Sequence, residues 1–263
     1  MGPTPNVRTG MPVGVVTRLY RYPVKSMAAE SLASADVSFT GLAGDRKWAF
    51  VRAASGTNGF PWHTIRENPA MWKYRPRLLD QERPDKSGVE VVAPDGGVYD
   101  LTDPALADQL GKELRLMRLD RGTFDALPVS LIATTTVSAL CGRAGVPADE
   151  LRFRPNVVVA PISGSPYAED EWVGQQLTIG QAVVRVDRRD SRCVVVNVNP
   201  GTGTADASIL KTIGRYHHAQ AGVYGSTVRP GLIRVGDAVV IEPCTQLDPE
   251  GNVPSCAGCS SLG

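Results

Sequence analysis

The chain is 263 residues long, with 28 Lys or Arg, 27 Asp or Glu and a formal charge of +1. That length excludes a stapled mini-domain and fits one large domain or two closely packed ones, and the charge balance argues against a protein that coats nucleic acid. Hydrophobic residues at 42% and charged residues at 21% exclude wholesale disorder, and no apolar run approaches the roughly 18–20 residues of a membrane span.

Residues 1–14 hold three Pro and three Gly without periodicity, which reads as a flexible arm with no apolar signal-peptide segment. Short β-like runs follow at Val15–Tyr20, Lys47–Val51, Tyr74–Leu79, Val89–Ala93 and Leu114–Leu119, rich in β-branched and aromatic residues. Pro94-Asp95-Gly96-Gly97 marks a hairpin-like loop. Asp103-Pro104 opens a helix reaching about Leu110, with Asp as N-cap and Pro at the first position. A soft boundary falls at Arg121–Pro128, which divides the chain into an N-terminal β-rich domain at 15–127 and a β-barrel domain at 128–243. Ser130–Ala144 is a second expected helix, ended by Gly145 and Pro147, and Ser208–Tyr216 is a third. Further strands are expected at Arg152–Ala160, Gln176–Ile179, Ala182–Asp187, Cys193–Val198 and Ile233–Ile241. Residues 244–263 lose the β pattern and form a Cys-containing tail. Many short strands and few helices predict a mainly β fold, a barrel or sandwich with helices added.

Three His residues, with neither H-E-x-x-H nor G-x-S-x-G, disfavour zinc-protease and hydrolase readings, and Gly201–Asp206 lacks the third Gly of a dinucleotide loop. The positive signal is basic residues beside turns. Lys25-Ser26 follows a strand, Arg46 leaves a Gly turn, and Arg152 and Arg154 are expected on one face of a strand, with Pro155 biasing Arg154 toward extended backbone. Converging Arg and Lys would hold a phosphorylated or anionic small molecule. Taken singly, each is equally a solvated surface charge. Cys193 reads either as a small buried hydrophobe or, after Arg188, Arg189 and Arg192, as a thiolate suited to a soft metal. Cys256-Ala257-Gly258-Cys259 reads as a redox pair, a persulfide shuttle or two idle thiols, with Cys244 as only a third candidate zinc ligand. Five cysteines, an odd number, suggest reduced thiols and a cytoplasmic location.

The strings Tyr22-Pro23-Val24-Lys25-Ser26, Gly44-Asp45-Arg46-Lys47-Trp48, Arg152-Phe153-Arg154-Pro155-Asn156, Arg192-Cys193, Asn199–Gly203 and Gly231–Asp237 occur in one order over about Val15 to Glu242. Together they resemble the MOSC superfamily, in the branch with an N-terminal MOSC β-barrel domain that includes the amidoxime reducing component and its bacterial relatives. The resemblance implies a MOSC-type β-barrel packed with a smaller β-rich N-terminal domain. It implies molybdenum cofactor, a pterin dithiolene carrying a phosphate, with Cys193 as the protein ligand to molybdenum. Lys25, Ser26, Arg46, Arg154 and Asn156 would contact the cofactor. Pyridoxal phosphate binding is also attached to the family as a whole.

The implied activity is oxygen-atom transfer from N-oxygenated small molecules. Electrons would come from an external iron–sulfur or flavin protein, since the chain lacks the cysteine set of an iron–sulfur domain. The alternative is sulfur transfer, with a persulfide received from a cysteine desulfurase on Cys193 or through a relay at Cys256 and Cys259. A second alternative is a non-catalytic cofactor carrier. Neither nucleic acid nor membrane is an expected partner. Where many relatives carry C-x-R-C, this chain has Asp190 in place of the first Cys, and the C-terminal pair is not part of the usual pattern. Lys25, Arg46, Arg154, Asn156 and Cys193 are therefore expected to line one cleft.

Overall fold

A computed structural model of the chain describes residues 10–52 and 61–242. The first strand, β1 (Met11–Arg21), takes in four residues expected to belong to the N-terminal arm. The first half continues with β2 (Glu30–Leu32), β3 (Ser34–Ser38), β4 (Gly41–Leu42), β5 (Trp48–Arg52), β6 (Arg75–Leu78), β7 (Val89–Val92), β8 (Val98–Asp100), α1 (Pro104–Leu110) and β9 (Leu114–Arg118). The second half runs β10 (Val129–Ala133), α2 (Thr134–Ala144), β11 (Val157–Pro161), β12 (Gln176–Ile179), β13 (Ala182–Ser191), α3 (Ser208–His217), β14 (Gln220–Arg229), β15 (Gly231–Arg234) and β16 (Ala238–Ile241). No helix among the described residues is long and apolar enough to cross a membrane.

The fold is mainly β, and its centre is a closed seven-stranded barrel in the order β11-β10-β14-β13-β12-β16-β1, with β1 pairing back onto β11. The first strand of the chain thus closes a barrel otherwise built from residues after 128. Gly14 marks a place where backbones approach closely: a Cβ there would lie 2.8 Å from the Ala160 carbonyl oxygen. The one parallel barrel pair among the described residues, β10 with β11, is bridged by α2, a strand–helix–strand crossover.

Strands β10 and β11 are apolar on both faces. Leu131, Val157 and Val159 point into the barrel core with Leu19, Leu177 and Val223. Their neighbours Ile132 and Val158 point outward, into a second core with Phe50, Met71, Trp72, Leu140, Phe153 and Ile213. This double burial explains the unbroken Val157-Val158-Val159 run. It also explains why Ser130–Ala133 is a strand and not the start of the expected helix: Val129–Ala133 is buried at every position, and the helix begins at Thr134.

Three other expectations change. Arg152–Ala160 is a short 3-10 turn (Glu150–Phe153) followed by a strand that begins only at Val157. Cys193–Val198 is a 3-10 turn over Val194–Asn197, held by the Asn197 side chain, which accepts from Leu210 N at 3.0 Å. Ile233–Ile241 is two strands, split by a turn at Gly236 with φ +95°. The helix at 104–110 has its expected cap: Asp103 accepts from Ala105 N.

Leu131 is fully buried in the barrel core. Leu131→Ala should lower stability by about 2–5 kcal/mol in urea denaturation, the cost of lost burial plus a cavity. Leu79→Ala, at a side chain left 58% exposed, should change it by less than about 0.5 kcal/mol.

Candidate functional site

Where the N-terminal segments meet the barrel, a cleft of about 690 Å³ is lined by Lys25, Ser26, Arg46, Arg154, Asn156 and Cys193. The six described residues expected to contact the cofactor or its metal are therefore in one place. Cys256 and Cys259 lie outside the described residues.

The convergence starts from three turns. Ser26, Arg46 and Arg154 all have left-handed backbone, with φ of +70°, +49° and +51°. For Arg154 this reverses the expected extended conformation. Its N–H bonds to Leu151 O at 3.0 Å, which ends the 3-10 turn, and its carbonyl accepts from Arg46 Nη2 at 3.0 Å. The turn, not a strand, delivers the guanidinium, so Arg152 and Arg154 do not share a strand face.

One carboxylate ties the turns together. Asp45 is wholly buried and accepts from Tyr22 N at 2.7 Å, Arg46 Nη1 at 2.5 Å and Asn156 Nδ2 at 3.1 Å. Asn156 also donates to Tyr20 O and accepts from Ser130 N and Oγ. Both of its N–H groups are therefore used within the protein. Asn156 sits in the cleft wall with both amide donors engaged by the protein, which suits a positioning residue. Between the two arginines lies the buried Tyr22 ring, with the Arg46 and Arg154 guanidinium carbons 4.4 and 4.2 Å from its centroid. Trp72 flanks Arg154 from another side at 4.4 Å.

The charges differ in how far they are compensated. Burial lowers the Lys25 ammonium below its ordinary value, against the pull of Asp125 at 2.5 Å. Lys25 also donates to Thr123 O at 2.6 Å. Arg154 has no carboxylate ion-paired to it among the described residues: it donates to Met27 O at 2.9 Å, and burial pushes it down to about 9, so it is still charged at neutral pH. Its Nη2, with Nε and Nη1 of Arg152, is buried without a hydrogen-bond partner among the described residues. Buried guanidinium donors without acceptors are costly. They fit a site completed by an anion.

Cys193 sits directly after β13, partly exposed, at the head of its 3-10 turn. The neighbouring arginines in sequence are not the ones at its sulfur. Arg192 spends its guanidinium on Ala221 O, Phe153 O and buried Asp190. Arg189 pairs with Asp170 at 3.0 Å. The cation at the thiol is Arg66, whose Nη2 lies 3.3 Å from Sγ and which also faces Asp125 at 3.7 Å. Burial raises the Asp190 carboxyl above its usual range, opposed by Arg192 and Tyr224. Among the described residues no group of three His, Cys, Asp or Glu could hold a metal alone, so a metal here would need ligands from a cofactor beside Cys193.

Sequence reasoning missed Arg66 and the role of Asp45. Arg66 lies in an irregular loop 127 residues from Cys193, and no local pattern announces it. Asp45 stood inside a noticed string, yet its three donors come from segments up to 111 residues apart.

Comparison with known proteins agrees with this architecture. Residues 13–125 match the MOSC N-terminal beta barrel domain and residues 120–240 the MOSC domain. Mitochondrial amidoxime-reducing component 1 of Xenopus laevis is 25% identical over 86% of this chain and 82% of that protein. The mouse protein of that name is 30% identical over 44% of this chain, and the match spans only 37% of its length. Molybdenum cofactor sulfurase of Solanum lycopersicum is 31% identical over 38% of this chain and 13% of that protein. Among solved structures, YUAD protein from Bacillus subtilis covers 87% of this chain and 95% of its own at 12% identity, with a TM-score of 0.48.

Asp45 compensates the buried Arg46 and anchors three turns, so Asp45→Ala should destabilise the protein by about 3–5 kcal/mol, the cost of leaving a buried charge unpaired. Asp45→Asn, which keeps the shape and loses the charge, should fall between Asp45→Ala and the parent in thermal denaturation.

Proposed function

Because the chain belongs to the MOSC family and carries both its N-terminal β-barrel domain and its MOSC domain, we propose that the cleft binds molybdenum cofactor and reduces N-oxygenated small molecules. The observation that carries this reading is the convergence of Lys25, Arg46, Arg152 and Arg154 on a cleft that also holds Cys193, with three buried guanidinium nitrogens lacking acceptors. A phosphate-bearing group would supply those acceptors. Cys193 would supply a thiolate, the soft ligand that molybdenum favours.

Lys25, Ser26, Arg46, Arg152 and Arg154 would hold the cofactor's anionic end, with Asn156 and Asp45 fixing the turns behind them. Bound molybdenum supplies the two-electron chemistry of oxygen-atom transfer. Reduction of an N-hydroxyl compound takes up two electrons and two protons, breaks the N–O bond and releases water. The electrons come from a separate iron–sulfur or flavin protein. Asp190 lines the same cleft, where burial raises its carboxyl above the usual range against the pull of its partner Arg192.

A second reading, sulfur carriage, is favoured by one observation: Cys193 is partly exposed with a guanidinium at its sulfur, an arrangement that also suits a persulfide anion. Cys256 and Cys259 would then relay sulfur from a cysteine desulfurase.

Metal and pterin analysis of natively purified protein should find both, near one per chain. Arg154→Ala should weaken cofactor binding by about 1.5–3 kcal/mol, the range for a charged hydrogen bond, read as lower occupancy at limiting cofactor. Cys193→Ser should abolish turnover of a hydroxylamine or amidoxime with a chemical electron donor, whereas Cys256→Ser with Cys259→Ser should leave it intact. The opposite ranking, with persulfide in place of molybdenum, would select sulfur carriage.

A further inference from the structure

The cleft carries more positive charge than the residues assigned to the cofactor account for. Eight of its lining residues are Lys or Arg and two are Asp, in a chain whose net charge is only +1. Lys25, Arg46, Arg152 and Arg154 lie with the turns that would hold the cofactor. Arg188 and Arg189 do not: they come from the end of β13, a separate wall of the cleft that leads directly into Cys193.

This wall has the marks of a recognition surface. Arg189 is held from behind. Its Nε bonds Asp170 Oδ2 at 3.0 Å, and the same oxygen lies 2.8 Å from His217 Nε2. His217 Nδ1 is 2.7 Å from Gln220 O, and its ring stacks on Tyr167 at 3.9 Å between centroids and 11° between planes. Arg143 in turn donates to the Tyr167 hydroxyl at 2.9 Å. The chain of contacts fixes one arginine on the wall before any ligand arrives, which lowers the ordering cost of binding. Arg188 beside it is exposed, and its side chain has neither a hydrogen bond nor an ion pair among the described residues. Ser191 and Gln220 add polar groups to the same wall. Two arginines lining the cleft, one fixed and one without a side-chain partner among the described residues, suit a planar or tetrahedral oxyanion.

We propose that this wall is a specificity site, and that the protein takes a small-molecule substrate bearing a carboxylate or phosphate next to the group that reacts at Cys193. The proposal rests on the reading of Cys193 as the reacting centre, and it names the substrate class of that site. A cleft lined mainly by one sign of charge, here eight cations to two acids, concentrates ions of the opposite sign and orients them at the entrance. Neutral N-oxygenated compounds of the same size gain nothing from the wall.

Cys193 reports this field directly. The full-length chain, reduced and free of cofactor, is treated in parallel with iodoacetate and iodoacetamide, which differ in charge and deliver groups of similar size. Initial rates are read from the mass of the Cys193 peptide. The ratio of the two rates cancels thiol ionisation and access. The same ratio in urea-unfolded protein is the reference.

The native ratio should exceed the unfolded one by about tenfold or more, within the range of electrostatic focusing. It should collapse as ionic strength rises from about 0.01 M to about 1 M, where the screening length falls from about 30 Å to about 3 Å. Arg188→Gln should reduce it severalfold and Arg188→Glu further, with the iodoacetamide rate unchanged. A native ratio no higher than the unfolded one overturns the proposal. So does a high ratio that ignores both Arg188 substitutions, since the field would then belong to the inner cations alone. If iodoacetamide itself fails to reach Cys193 in the folded chain, the reading of Cys193 as an accessible reacting centre falls, and the proposal with it.

Discussion

The site depends on one buried carboxylate. Asp45, with no exposed surface, accepts hydrogen bonds from Tyr22, Arg46 and Asn156, residues that belong to three segments far apart in the chain. A carboxylate taken from water is tolerated only when its oxygens are well satisfied. Here the requirement is met by drawing the turn after β1, the Gly-rich turn before β5 and the turn before β11 to one point. The low dielectric that makes the arrangement costly to break also makes it rigid. Asp45 is ion-paired to Arg46, whereas Arg154 and Arg152 keep buried guanidinium donors without an acceptor among the described residues at the same place.

The barrel makes this possible because β10 and β11 are used on both faces. One face fills the barrel; the other is the floor of the second core, where Trp72, Phe153 and Ile132 pack. The ends of β10, β11 and β13 therefore reach the cleft from a rigid base, while the N-terminal turns reach it from above. Ser26, Arg46 and Arg154 lie there in left-handed backbone, a conformation that costs a non-glycine residue about 1–3 kcal/mol. Arg46 and Arg154 are held by bonds to neighbouring segments, and the strain sits where side chains must be aimed.

The acid at position 190 fits the same electrostatic scheme. It is buried against Arg192, whose remaining donors hold Ala221 O and Phe153 O. Asp190 thus neutralises the cation that pins the chain just before Cys193, and leaves Arg66 as the cation at the sulfur. A cysteine in that place would leave Arg192 without its counter-charge, so the substitution and the arginine form one unit.

Local patterns in the sequence determined a good deal. Alternating and β-branched runs marked β6, β7, β9 and β12. Asp103-Pro104 marked the start of α1 because a cap is a contact between near neighbours, and the Pro94–Gly97 hairpin followed for the same reason. The strings around Lys25, Arg46, Arg154 and Cys193 marked the cleft-lining residues because turn chemistry and charge are read over a few positions. Three features were decided only by the tertiary structure. Ser130–Ala133 has the composition of either element and became a strand because the barrel needed β10 between β11 and β14. Arg154 left the extended region because Arg46, 108 residues away, captures its carbonyl. Arg66 found Cys193 across 127 residues. Periodicity carries information over a turn of helix or a pair of strand residues, whereas these contacts are selected by closure of the barrel, which no single segment encodes.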